Sequence, residues 1–143
     1  MLQKAKTELR NQQRIKRVNL KHLHKYLKKI LVFLDIPSKE VSILLCDNAL
    51  IKKLNKKYFK KSSVTDVIAF PLTDNLEPNY LGEVVVSVEE AVEEAKKLGC
   101  KWQDELRLYL IHGILHLIGY DDSTKAKRKC MEKKQRELLV KCN

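Results

Sequence analysis

His112 and His116 are two of only four histidines in the chain, and both sit in an apolar run, His112-Gly113-Ile114-Leu115-His116-Leu117-Ile118-Gly119-Tyr120-Asp121-Asp122. Histidines at i and i+4 project from one helix face, one turn apart, so both imidazoles can reach a single metal ion. Gly119 can end that helix in a left-handed turn, letting the following acidic pair fold back and offer a carboxylate as third ligand. A buried helix with two hydrogen-bonded core histidines and a capping turn would also fit the spacing. The adjacent glycines and aspartates favour the metal. A zinc site of the catalytic kind uses three protein ligands and keeps a fourth position for water, whose pKa falls to about 7 when bound. The metalloprotease pattern His-Glu-x-x-His carries its general base directly after the first histidine. Here that position is Gly113, so a peptidase would lack its base.

These side chains need a scaffold. Trp102 to Ile118 is apolar on nearly every side beyond Leu108, as expected of a central helix packed on a sheet. Trp102, Tyr109 and Tyr120 read as packing residues. Val18 to Leu34 has apolar residues at three- and four-residue spacing, an amphipathic helix ending before Pro37. His22 and His24 on it are two apart and diverge, so they are no ligand pair. Glu40 to Cys46 reads as a strand, and Asp47 as the N-cap of a helix running to about Lys60. That helix should turn Leu50, Ile51, Leu54 and Tyr58 inward and a lysine face outward. Val64 to Phe70 and Gly82 to Ser87 suit short strands, with Pro71 to Tyr80 as a polar loop between them. Val88 to Leu98 forms a helix with an acidic outer face and Gly99 as its C′ residue, and Ser123 to Val140 a last lysine-rich helix. The expected fold is α+β: one domain over residues 1–143, a small mixed sheet of about four strands with helices packed on it, and the metal-carrying helix buried at the centre. Only the first dozen residues look mobile.

Composition narrows the function. The net charge of +11 is unevenly spread. Residues 1–29 hold ten Lys/Arg against one acid, residues 51–61 six lysines and no acid, and residues 123–143 eight bases against two acids. Residues 62–122 hold twelve acids against four bases. Basic elements flanking an acidic, metal-binding middle suggest phosphate-backbone contacts around a cation site, although lysine-rich helix faces are also common as plain solvated surface. The longest apolar run, Leu106 to Tyr120, is interrupted by Arg107, His112, Gly113 and His116, too short and too polar to cross a bilayer. The basic N-terminus lacks the apolar stretch of a signal peptide, so the cytoplasm is the expected location. Cys46, Cys100, Cys130 and Cys142 are widely spaced without a CxxC pair and read as reduced thiols.

Ten positions from His112 to Asp121 also match, without a gap, the signature His-Gly-x-Leu-His-Leu-x-Gly-Tyr-Asp-His of the YbeY family. Two upstream stretches resemble that family as well: Leu54-Asn55 through Thr65-Asp66-Val67-Ile68-Ala69-Phe70-Pro71, and Leu81-Gly82-Glu83-Val84-Val85-Val86-Ser87. The blocks occur in the family's order and cover about residues 40–140. The resemblance implies a single-strand-directed, metal-dependent endoribonuclease of ribosomal RNA maturation and ribosome quality control, with one zinc ion per chain and the ribosome or its small subunit as partner. It implies His112, His116 and Asp122 as ligands and catalytic centre. Asp121 matches the family's own aspartate, with Asp121 and Asp66 supporting the ligands; either member of the adjacent pair could reach the ion.

Two positions depart from the pattern. Asp122 stands where the family has histidine, and a harder carboxylate ligand would shift preference towards manganese, iron or magnesium while still suiting zinc. Phe59 stands where the family has arginine after the aromatic residue aligned with Tyr58. Lys60 or Lys61 can substitute only as a point charge. Lys56, Lys57, Lys60 and Lys61 are the expected RNA contacts. Asp66 and Glu83 could equally be a turn hydrogen-bonder and an exposed strand residue. Phe59 and Asp122 also motivate an alternative, an RNA- or ribosome-associated protein with a structural metal and weakened nuclease activity. A metal-dependent hydrolase of another substrate is a third reading. The oligomeric state is not legible.

Overall fold

The computed structural model describes residues 7–61, 63, 65–72 and 76–143. Four strands, β1 (Leu9–Asn11), β2 (Glu40–Cys46), β3 (Val67–Pro71) and β4 (Tyr80–Ser87), form one sheet in the order β1-β2-β4-β3. The β1–β2 and β2–β4 pairs are parallel, and β3 runs antiparallel to β4. Five helices accompany it: α1 (Leu20–Phe33), α2 (Asn48–Phe59), α3 (Val88–Leu98), α4 (Trp102–Leu117) and α5 (Lys125–Lys141). The architecture is the α+β arrangement expected, with the small mixed sheet of four strands.

Strand alternation decides which helix goes where. Val41, Ile43 and Leu45 of β2 and Val84 and Val86 of β4 face one way, into the main core built with α1, α3, α4 and α5. Leu44, Cys46, Ile68 and Val85 face the other way and are covered by Ile51 of α2 with Leu50 and Leu54 beside it. The sheet is thus buried on both faces, which explains its nearly unbroken apolar strands. Among the helices, α4 packs against β3, β4, α3 and α5 and is the central one. Gly113 is the reason it can lie so close. A Cβ there would stand 2.4 Å from Val84 Cγ1 and 3.1 Å from Val67 Cγ2.

The expected caps are in place. Asp47 accepts from Leu50 N–H at 2.9 Å, and Gly99 closes α3 with φ +70°. Three expectations are corrected. Leu9–Asn11 fall within the dozen residues expected to be mobile, yet they pair with Ile43–Leu45, while residues 1–6 lie outside the described residues. Tyr58, expected inside, is 55 % exposed on the last turn of α2, where Phe70 meets its ring edge-on with centroids 5.2 Å apart and Lys57 Nζ lies over it. The strand expected from Val64 begins at Val67, and Val64 itself is outside the described residues. All four cysteines are free. No helix among the described residues is long and apolar enough to cross a membrane.

Candidate metal centre

The last turn of α4 brings the two histidines together. Their Nε2 atoms stand 2.9 Å apart, with the rings at 75° to one another. Beyond Leu117 the chain turns back on the free carbonyls of the helix: Gly119 N–H donates to His116 O at 3.2 Å and Tyr120 N–H to Leu115 O at 3.0 Å. Gly119 adopts φ +105°, the positive-φ turn expected of it. This reversal returns the acidic pair towards the helix end. One ligand atom each of His112, His116 and Asp122 lies within 4.8 Å of the others.

The two aspartates are separated by their partners. Asp121 accepts from Ser123 N–H at 3.0 Å and from Ser123 Oγ at 2.7 Å, and Lys127 Nζ stands 3.5 Å away. Those serine bonds, then the lysine, hold its carboxyl below the usual aspartate range. Asp121 therefore braces the turn into α5, and Asp122, exposed, is the carboxylate beside the histidines.

Gln135 completes the arrangement, and the sequence reading passed over it. Its Oε1 lies 2.5 Å from His112 Nδ1. An amide oxygen only accepts, so Nδ1 carries the proton and the Nε2 lone pair faces His116. Orienting a ligating imidazole through its far nitrogen is a general feature of metal sites. One signal was available: Met131 and Leu138 are buried on α5, and Gln135 lies four residues after one and three before the other, a polar residue on the inward stripe. Burial lowers the pKa of His116, His112 pushes it the same way, and Asp122, the Tyr120 backbone and Asp121 oppose. A neutral imidazole is the form that can ligate a metal. Two nitrogens and a carboxylate oxygen, with one ring held in the metal-binding tautomer, fit a divalent cation.

Other expected residues lie elsewhere. Lys56, Lys57, Lys60 and Lys61 are exposed on or just after α2, which covers the sheet face opposite α4. Phe59 stacks on Phe70 with ring centroids 5.8 Å apart. Asp66 supports no ligand among the described residues. It lines a cavity of about 550 Å³ with Glu90, Glu94, Glu105 and Tyr109. Its backbone carbonyl accepts from Ser87 N–H at 3.0 Å, which joins the start of β3 to the end of β4. Glu83 is a strand residue paired with Arg10 at 2.6 Å.

The chain was then compared with known proteins. The family model described as endoribonuclease YbeY matches residues 3–143. An endoribonuclease YbeY of Syntrophus aciditrophicus is 33 % identical over 92 % of this chain and 86 % of its own length. One of Geobacter metallireducens is 34 % identical over 94 % of both chains, and one of Carboxydothermus hydrogenoformans 40 % identical over 69 % of both. A Thermotoga maritima protein solved in solution superposes with a TM-score of 0.68 at 29 % identity, covering 94 % of this chain and 88 % of that one. With the signature turn, the three ordered blocks and nearly the whole length accounted for, this chain belongs to the endoribonuclease YbeY family.

Proposed function

We propose that this chain is a metal-dependent endoribonuclease that cleaves single-stranded RNA in ribosomal RNA maturation and ribosome quality control. The observation that carries the reading is the convergence of His112, His116 and Asp122 at the end of a buried helix. Zinc is the proposed ion, with His112, His116 and Asp122 as its ligands and the catalytic centre; a bound divalent cation supplies Lewis acidity and an activated water.

The chain's own residues do the rest. Gln135 fixes the His112 ring so that Nε2 points at the ligand position, and burial keeps His116 uncharged. Asp122 lowers the net charge of the site by one relative to a third imidazole, favouring a cation over the bare phosphate. Gly113 rules out an adjacent glutamate base, because even a Cβ at this position meets Val84. Lys56, Lys57, Lys60 and Lys61, exposed on and just after α2, contribute phosphate contacts. The whole chain acts as one catalytic unit, the small ribosomal subunit is its proposed partner, and the cytoplasm its proposed location.

The test uses purified protein and a fluorescent single-stranded RNA. Cleavage is expected to stop with chelator and with His116→Ala, and to return on adding zinc to the chelated wild type. Undiminished cleavage by His116→Ala would overturn the reading.

A further inference from the structure

The C-terminal turn of α2 carries a cluster of rings that the metal site does not account for. Tyr58 and Phe59 end this helix, and they are 55 % and 47 % exposed. Apolar side chains scattered singly on a surface are ordinary, whereas a contiguous patch marks an interaction site. Both rings meet Phe70 of β3. Phe59 lies at 29° to it with centroids 5.8 Å apart, and Tyr58 meets it edge-on at 5.2 Å. Phe70 thus covers one face of Phe59 and leaves the other open. The turn that follows the rings is fixed. Lys60 caps the helix in the left-handed region at φ +56° with its N–H bonded to Lys56 O at 3.1 Å, and the buried Asn55 donates from Nδ2 to Ser63 O at 3.0 Å.

The charge around the rings names the occupant. Lys52, Lys53, Lys56, Lys57, Lys60 and Lys61 are all exposed, and residues 51–61 contain no acid. None of these lysines is ion-paired among the described residues. An open ring inside a cationic field suits a ligand that is polyanionic and has flat apolar faces, which describes a nucleic acid strand. In a duplex the base faces are already stacked on one another, so only a single strand can lay a base on Phe59. The residue type at this position also decides the kind of contact. An arginine would grip phosphate through paired N–H groups, whereas a phenyl ring offers no hydrogen bond and only a π-face.

We propose that Phe59, backed by Phe70 and flanked by Tyr58, is a stacking platform for a base of single-stranded RNA, with Lys56, Lys57, Lys60 and Lys61 holding neighbouring phosphates. That the strand is RNA rests on the endoribonuclease reading; that a base stacks rests on the rings alone. Phenylalanine in place of the family's arginine then moves one contact from the backbone of the strand to its base. Every base has a π-face, so the platform tolerates any sequence while favouring purines, which stack more strongly.

A strand without bases separates stacking from charge. The full chain, with chelator present to silence the metal centre, is titrated with a labelled six-residue oligodeoxyadenylate and with a labelled six-residue abasic strand of equal charge, and binding is read by fluorescence anisotropy. The adenylate should bind at least about fivefold more tightly, the lower end for one stacked base. Both should weaken with salt through the lysines. Phe59→Ala should bring the two affinities together, and Phe59→Trp, which keeps a ring, should retain the preference. Lys56→Gln with Lys61→Gln should weaken both strands and preserve their ratio. Equal affinities in the wild type, or a preference that survives Phe59→Ala, would overturn the platform. So would vesicles of phosphatidylglycerol that bind the wild type and not Phe59→Ala while the strands bind both proteins alike, a result that would assign the rings to a membrane surface. RNA cleavage by the zinc-loaded protein is measured alongside. Cleavage without a preference for bases sinks this inference alone, whereas a preference for bases without cleavage sinks the nuclease reading alone.

Discussion

The two ends of α4 are built for opposite charges. At the C-terminal end, two imidazoles and a carboxylate converge and the turn that follows is fully bonded back to the helix. At the N-terminal end, two arginines line an open cavity, and Lys101 provides no side-chain cap. The helix dipole favours a cation at the first end and an anion at the second. One buried helix thus carries a cation-binding end and a cationic hollow, and its rigidity fixes the distance between them.

The largest expected effect breaks one end and spares the other. His112→Ala with His116→Ala should abolish stoichiometric zinc in the purified protein and reduce RNA cleavage more than about a hundredfold, beyond what outer residues of metal sites contribute. Trp102, at the other end of the helix, should keep its wild-type fluorescence. A changed Trp102 signal in a folded variant would mean that the two ends are coupled.

Gly113→Glu comes next, and it strikes at the pivot shared by the two ends. It writes the metalloprotease pattern into the chain, yet the new side chain would point into Val84 and Val67. Overpacking and a buried carboxylate together should cost at least about 3 kcal/mol, and Tm should fall by on the order of 10 °C with no peptidase activity gained. A stable variant that cleaves casein would show that the close approach of helix to sheet is dispensable. Gln135→Leu is milder and local. It should lower zinc affinity about tenfold, read by competition with a chromogenic chelator. Gln135→Glu should keep or raise the affinity, since a carboxylate orients His112 equally well and adds negative charge. Equal affinities in all three proteins would leave the 2.5 Å contact without a role in metal binding.

How much of this was readable from the residues follows from the range of each interaction. The metal helix, its glycine turn and the caps at Asp47 and Gly99 depend on neighbours within a few positions, so periodicity and residue type disclosed them. The strand Leu9–Asn11 was not legible, because it has a single apolar residue and is held by backbone pairing to β2. Tyr58 looked inward by spacing, but the sheet ends beneath the last turn of α2, and only the assembled sheet shows where its edge falls. The aspartate pair was undecidable until Ser123 and Lys127 were seen to engage Asp121. Gln135 shares that limit, because it acquires its meaning from His112 on another helix.

The smallest effect tests whether the N-terminal end is held separately. Glu40 accepts from both the N–H and the hydroxyl of Thr7, tying the segment that precedes β1 to the start of β2. Burial alone would raise its pKa, but those two bonds, with Lys28 and His24, lower it below the usual glutamate range. A depressed carboxyl contributes stability that is present above the unfolded pKa of about 4.3 and is lost as pH falls through the lower folded value. Glu40→Gln should therefore lower Tm slightly at pH 7, and the difference from wild type should shrink as the pH falls through the acid range. At pH 7 the zinc affinity of the variant should stay at the wild-type value. A stability difference that persists unchanged at pH 3 would show that the Glu40 charge is not what fastens this segment. An equal loss of zinc affinity would show that the two ends of α4 are not independently held.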